Sequence, residues 1–120
     1  FLCQKLVKKG YVTSKYYRTV LDREKITSTS IGNRVAIPHG EQGEINEAKI
    51  VIATLKKPIL WDTEWVDVIF LLVVKMTNDF EIKRTQMFYK QYIKLVDTDE
   101  KVNILRGFES NIDFYRYLVQ

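Results

Sequence analysis

The chain has 120 residues and a mass of 14.2 kDa, which leaves room for one domain. With 46% hydrophobic and 28% charged residues, and with seven Tyr, six Phe and two Trp, it can build a packed core, so disordered and collagen-like chains are excluded. The net charge of +4 is mild and scattered, and Lys8-Lys9 and Lys56-Lys57 are the densest basic runs, which argues against direct nucleic-acid contact.

Phe1 to Lys9 places Leu2, Leu6 and Val7 on a rough helical stripe, and Gly10 terminates it. A second helix is expected from an N-cap at Ser14, through Tyr16, Tyr17, Val20 and Leu21, to about Lys25. The period then changes. Arg34 to Pro38 reads as a short strand ended by its proline. His39-Gly40 follows as a turn and Glu41 to Glu47 as a polar loop. Ala48 to Leu55 alternates like a strand, Pro58 to Glu64 is a connection, and Val66 to Val74 suits a strand buried on both faces. That last stretch contains the longest apolar run, which is far too short to cross a bilayer, so no membrane insertion is expected.

Helical spacing returns with Ile82, Thr85, Tyr89, Tyr92, Ile93 and Val96, which share one inward face. Asp97 with Glu100 reads as a cap for the next helix, and Ser110 with Asp113 as a capping box for the last. Helices, then strands, then helices define an α/β fold: a single-domain sandwich with a mixed β-sheet flanked by α-helices. The chain lacks an initiator Met and opens inside a helix, so it is expected to be a piece of something longer. Phe1 to Lys5 has neither a charged leader nor a cleavage site, and one cysteine cannot form an internal disulfide. The expected setting is the cytoplasm.

His39 is the only histidine. Set between a strand-ending proline and a glycine, its ring projects from the end of a sheet, where open α/β sheets bind ligands. Imidazole is neutral and nucleophilic near pH 7 and is tuned by one hydrogen bond at its other nitrogen. A turn histidine without a role is the plainer reading. No Cys/His cluster and no glycine-rich phosphate loop is present, so neither a metal nor a cofactor is expected. Asp62, Glu64 and Asp67 read as a solvated edge, Trp61 and Trp65 as packing residues, and Cys3 as inert.

The run from Arg23-Glu24 through Thr29-Ser30-Ile31-Gly32 and Val35-Ala36-Ile37 to Pro38-His39-Gly40 resembles the phosphorylation-site signature of the fructose/mannitol-type EIIA domain (EIIA type-2) of the bacterial phosphoenolpyruvate:sugar phosphotransferase system (PTS). Gly10-Tyr11-Val12, Pro58 to Trp61 and Val66 to Leu72 resemble the same family. The resemblance covers residues 1–120 and implies that about one N-terminal strand of the domain is missing. It implies a phosphohistidine mechanism: His39 accepts the phosphoryl group from the phosphocarrier protein HPr. Arg23 matches the family's active-site arginine, and a guanidinium fork suits phosphoryl oxygens. Its structural alternative is a helix-terminal arginine bound to a carboxylate or to the helix dipole. Thr29 and Ser30 offer hydroxyls and backbone N–H groups to the phosphoryl oxygens or the ring, or else serve as ordinary capping hydroxyls. Ser30 stands where the family often has glycine.

One departure bears on rate. The mannitol-type members carry a second histidine early in the long helix after the buried strand, and Thr85 occupies that position here. Threonine gives one hydrogen bond and no positive charge. Two functions fit. One is a regulatory module of a sugar-responsive transcriptional activator or antiterminator, read by neighbouring domains of the same chain. The other is a sugar-transport component, a phosphotransferase that passes phosphate to an EIIB domain. The missing histidine, the Pro58–Leu72 stretch and the Phe108–Leu118 tail favour the regulator. A degenerate interaction module that is never phosphorylated is the third reading.

Overall fold

The computed structural model describes residues 1–118. In chain order they form α1 (Leu2–Lys8), α2 (Tyr16–Ile26), β1 (Ser30–Gly32), β2 (Val35–Ala36), β3 (Lys49–Trp61), β4 (Glu64–Val73), α3 (Asp79–Ile93), α4 (Asp99–Arg106) and α5 (Asn111–Leu118), with a short 3₁₀ turn at Gln42–Glu44. The sheet order is β1-β2-β4-β3. β2 runs parallel to β4, and the two outer strands are antiparallel to their neighbours, so the sheet is mixed as expected.

β4 explains the layering. Val68 and Phe70 pack with Val96, Val102 and Leu105 on one face, while Leu71 and Val73 pack with Cys3, Leu6, Tyr16 and Val20 on the other. Both faces of this strand are covered, which is why it is almost all apolar from Val66 onward, Asp67 excepted. α1 and α2 cover one face, and the helices after β4 contribute to the other.

Several local expectations change. β3 runs on through Pro58 to Trp61, where the sequence suggested a connection. It pairs only with β4, so proline's missing N–H sits on an edge strand, and the register shifts between Thr54 and Ile59. The hairpin turns at Asp62-Thr63. β1 was not expected: Ser30 to Gly32 fold back on β2 across Asn33 and Arg34, both at positive φ (52° and 67°), as a two-residue hairpin turn of primed type requires. Arg34 therefore belongs to the turn, and the regular strand shrinks to Val35–Ala36. α2 starts after Lys15 rather than Ser14, because the Thr13 hydroxyl accepts the Lys15 N–H (3.3 Å) and holds that turn open. Thr98, not Asp97, caps α4 by accepting from Lys101 N (3.2 Å). Asp97 instead pairs with the Lys101 ammonium at 2.9 Å. Ser110 accepts from Asp113 N (3.4 Å), as the capping pattern anticipated. Val96 lies beyond the end of α3 but is buried.

Asp67 is not a solvated edge residue. It is 1% exposed, and Oδ2 lies 3.3 Å from Arg34 Nη1 and 3.0 Å from Arg106 Nε. Arg34 also donates to Asn103 Oδ1 at 2.7 Å. The cluster ties the β1–β2 turn, β4 and α4 together at one end of the sheet. Removing the carboxylate leaves two guanidiniums facing each other over a buried gap. Asp67→Ala is expected to cost about 3 kcal/mol, read as a lower urea midpoint at unchanged slope. A change below about 0.5 kcal/mol, the range of an ordinary surface substitution, would show that the cluster anchors nothing.

Candidate functional site

β2 carries the chain to His39. Beyond Ala36 the regular ladder stops, because Pro38 has no N–H, yet the chain keeps step with β4. Leu72 N donates to Pro38 O (2.9 Å), and His39 pairs with Leu72 in parallel register. Paired residues share a face, so His39 lies on the Leu72 side, toward the helices that follow β4. The ring is half-buried, and Nδ1 lies 3.2 Å from the carbonyl oxygen of Ile37. A carbonyl accepts only, so this contact calls for a proton on Nδ1 and leaves Nε2 unengaged by it. The sheet-end histidine is thereby oriented by its own backbone.

The residues after His39 are held by α2. Gly40 N donates to the Tyr16 hydroxyl (3.2 Å), which donates to Leu72 O (3.2 Å). Glu41 N donates to Thr19 Oγ1 (3.0 Å), and that hydroxyl donates to Tyr16 O (2.7 Å). The approach is close. A Cβ on Gly40 would fall on the Thr19 hydroxyl oxygen and lie 3.0 Å from both Tyr16 Cε1 and Val20 Cγ2.

The other predicted residues are placed as follows. Arg23 sits in the last turn of α2, and Nη1 donates to Thr27 O (2.9 Å), a backbone carbonyl just past the helix and not a carboxylate. Thr29 is buried, with both donors engaged: N–H reaches Glu24 Oε1 (3.0 Å) and Oγ1 reaches Glu24 Oε2 (2.5 Å). Its carbonyl accepts from Ile37 N (3.1 Å). In this structure both donors are therefore taken by the Glu24 carboxylate. Ser30 opens β1 opposite Ala36, and its register puts it on the face of Ala36, away from that of His39. Its N–H donates to Ser28 Oγ (3.2 Å), and its buried hydroxyl has no partner. Thr85 is half-buried on α3 and shares a small cavity with Ile37, Phe70 and Leu72, so it stands on the His39 face of the sheet. On its flank, Lys49, Lys75, Glu81 and Arg84 line a cleft of about 240 Å³.

Sequence reading missed Glu24 as an organiser. One carboxylate accepts from Thr29 N, Thr29 Oγ1 and Trp61 Nε1 (2.7 Å), joining α2, the segment before β1 and the end of β3. Its signal was present only as the acidic half of Arg23-Glu24. Tyr16 and Thr19 were missed because they lie far before the histidine in the chain, although they hold the two residues that follow it.

This arrangement defines a class: an α/β sandwich presenting a backbone-oriented histidine at the end of a parallel strand pair. The family model for "Phosphoenolpyruvate-dependent sugar phosphotransferase system, EIIA 2" matches residues 1–120, and the chain belongs to that family. The transcriptional regulator ManR of Bacillus subtilis is 43% identical over 74 residues, covering 62% of this chain and 11% of ManR. A probable licABCH operon regulator of B. subtilis is 32% identical over 105 residues, covering 88% of this chain and 16% of that protein. The chain thus spans a small part of the length of these two regulators. Among solved structures, mannitol IIA of Escherichia coli superposes with a TM-score of 0.76 at 22% identity, over 98% of this chain and 82% of that one. The complex of enzyme IIAMTL with phosphorylated enzyme IIBMTL from E. coli matches with a TM-score of 0.73 at 20% identity, over 96% and 79%. These likenesses establish the fold. Among the described residues no helix is long and apolar enough to cross a membrane.

Two measurements follow from the α2 contact. Burial pushes the Tyr16 phenol from an ordinary value near 10 up to about 12, against a lowering by the Gly40 N–H and with a further rise from Cys3. A raised folded value means that the unfolded chain loses this proton first. The associated stability is complete below pH 10 and is lost as pH rises through about 12. Denaturant titrations are expected to show about 2–3 kcal/mol of alkaline destabilisation in this window that Tyr16→Phe lacks. Gly40→Ala is expected to lower stability by about 1–3 kcal/mol through overpacking, and an unchanged urea midpoint would mean that α2 yields to the methyl group.

Proposed function

We propose that this EIIA type-2 domain is a phosphohistidine module in which His39 Nε2 accepts a phosphoryl group from phospho-HPr. The observation that carries the reading is the Nδ1–Ile37 carbonyl contact, which fixes the tautomer and leaves one nitrogen free. The Nε2 lone pair attacks phosphorus in line. A new N–P bond forms as the N–P bond on the carrier breaks, and the carrier's ring recovers its electron pair. Nδ1–H stays on the carbonyl throughout. Little covalent help is required in such a transfer, and positioning and charge stabilisation dominate. Arg23 is the proposed partner of the phosphoryl oxygens, and Thr85 a neutral hydrogen-bond donor on the same face as the ring. Ser30 is an indirect support of β1.

The module serves a cytoplasmic, sugar-responsive transcriptional regulator. Support comes from the regulator relatives and from Thr85, which supplies no charge where transport members place a second histidine. Added phosphate changes local charge, and neighbouring domains respond to it. The transport alternative draws on the mannitol IIA protein seen with phosphorylated IIB.

Incubation with phosphoenolpyruvate, enzyme I and HPr should add one acid-labile phosphate by intact mass, absent in His39→Ala. No addition, while a known EIIA control is modified, would leave only the interaction-module reading. Arg23→Ala should slow transfer by about tenfold or more, the weight of one charge-assisted contact. Thr85→His should accelerate it, and an unchanged rate would place position 85 outside the site. Rapid passage of the phosphate to an EIIB domain would favour transport over regulation.

A further inference from the structure

The Tyr16 hydroxyl occupies an unusual place in the sheet. In a parallel pair centred on His39, Leu72 N–H bonds the carbonyl of the preceding residue, and Leu72 C=O receives the N–H of the following one. The first bond is present, from Leu72 N to Pro38 O at 2.9 Å. At the second position a phenol joins the pair, accepting from Gly40 N and donating to Leu72 O, each at 3.2 Å. Tyr16 is fully buried, so neither carrier protein nor solvent reaches it. One turn along α2, Thr19 takes the next amide, Glu41 N, at 3.0 Å. Two consecutive N–H groups immediately after the histidine thus end on one helix.

We infer that Tyr16, assisted by Thr19, is a positioning residue for the phosphoacceptor: its hydroxyl completes the β2–β4 ladder at His39 and so fixes the ring against the Ile37 carbonyl. The inference rests on the phosphoacceptor reading of His39. The backbone from Ile37 to Gly40 is pinned on the upstream side by Leu72 N and on the downstream side by the phenol. Without the phenol, Gly40 N–H and Leu72 C=O lose their common partner beneath a fully buried ring. Either they draw together or the segment shifts. Both movements displace the Ile37 carbonyl relative to Nδ1, and the ring then samples the tautomer that places the proton on Nε2. That tautomer has no lone pair at the attacking atom. Displacements well below a residue's width suffice, since transfer rates depend steeply on alignment.

Tyr16→Phe keeps the ring in place and removes only the oxygen. Two readouts are needed, on the whole chain. The first is the nitrogen-15 signature of the His39 ring at a pH where it is neutral, which reports the tautomer without any phosphorylation. The expected result is a clean Nδ1–H form in the parent and a mixture in Tyr16→Phe. The second is the rate of phosphorylation by phospho-HPr. The maximal rate should fall about tenfold or more at unchanged half-saturation, because a buried phenol does not touch the carrier. A folded Tyr16→Phe that keeps either the parental tautomer or the parental rate overturns the inference. Should that variant not fold, Thr19→Val is judged by the same two readouts. If the parent chain accepts no phosphate, the phosphoacceptor reading fails, and the tautomer alone then decides whether Tyr16 positions the ring.

Discussion

The site depends on the parallel register between β2 and β4. Only Val35 and Ala36 form regular strand on the β2 side, too little to hold alignment by ladder bonds alone. Polar anchors at the two ends do the rest. At the start, Asp67 N and Val68 N both donate to Arg34 O (3.0 and 3.1 Å), and the Arg34 side chain grips buried Asp67. At the far end, Leu72 N holds Pro38 O, and the Tyr16 phenol holds Gly40. A slip of one residue would turn His39 to the α1/α2 face, because side chains alternate. The charged cluster and the phenol therefore defend the same quantity from opposite ends, which accounts for burying polar groups in a small core.

The layered architecture was legible in the sequence because it follows from periodicity. A run as apolar as Val66 to Val74, with Asp67 its one polar residue, has no polar face to turn outward, so covering helices were implied. Individual boundaries were less legible where tertiary contacts outweighed local preference. Pro58 reads as a break, yet it sits on the free edge of β3, where a missing N–H costs no ladder bond. Asn33 and Arg34 hide a hairpin because an arginine at positive φ is locally disfavoured. Its ion pair with Asp67, thirty-three positions away, supplies what the local backbone lacks. Asp67 itself looked like one of several edge carboxylates, since nothing in its neighbours announces two distant arginines.

The histidine and its motif stood out in sequence; the groups that hold it did not. The hydroxyls nearest in the chain, Thr29 and Ser30, drew attention because phosphate chemistry favours such groups. In the fold Thr29 faces Glu24 and Ser30 takes the opposite side of the sheet from His39. The hydroxyls that do reach the residues after His39 belong to Tyr16 and Thr19, on a helix two elements earlier. Sequence distance hid them, and so did their character: tyrosine on an amphipathic helix reads as core, and its oxygen acquires meaning only once Gly40 and Leu72 are in place.

Charge is the remaining physical question for a phosphohistidine at this position, and magnitudes bear on it. Thr85 brings a dipole where a second histidine would bring a cation, so on the proposed chemistry Arg23 carries most of the stabilisation. In this structure Arg23 is bound to Thr27 O, but that does not argue against the role. A neutral carbonyl on an exposed turn contributes about 1 kcal/mol net, whereas a hydrogen bond to a charged group contributes about 1.5–3 kcal/mol. A phosphoryl group within reach would therefore outcompete Thr27 for the guanidinium. On the proposed chemistry the bond at rest would also park a long side chain at the end of α2 and lower the entropy lost when the fork turns to an anion. On the proposed chemistry, a site built this way would bind its phosphate with one strong cation and one weak dipole. Such a site suits a module whose phosphate is read by a neighbouring domain more than one that must receive and release it at transport rates.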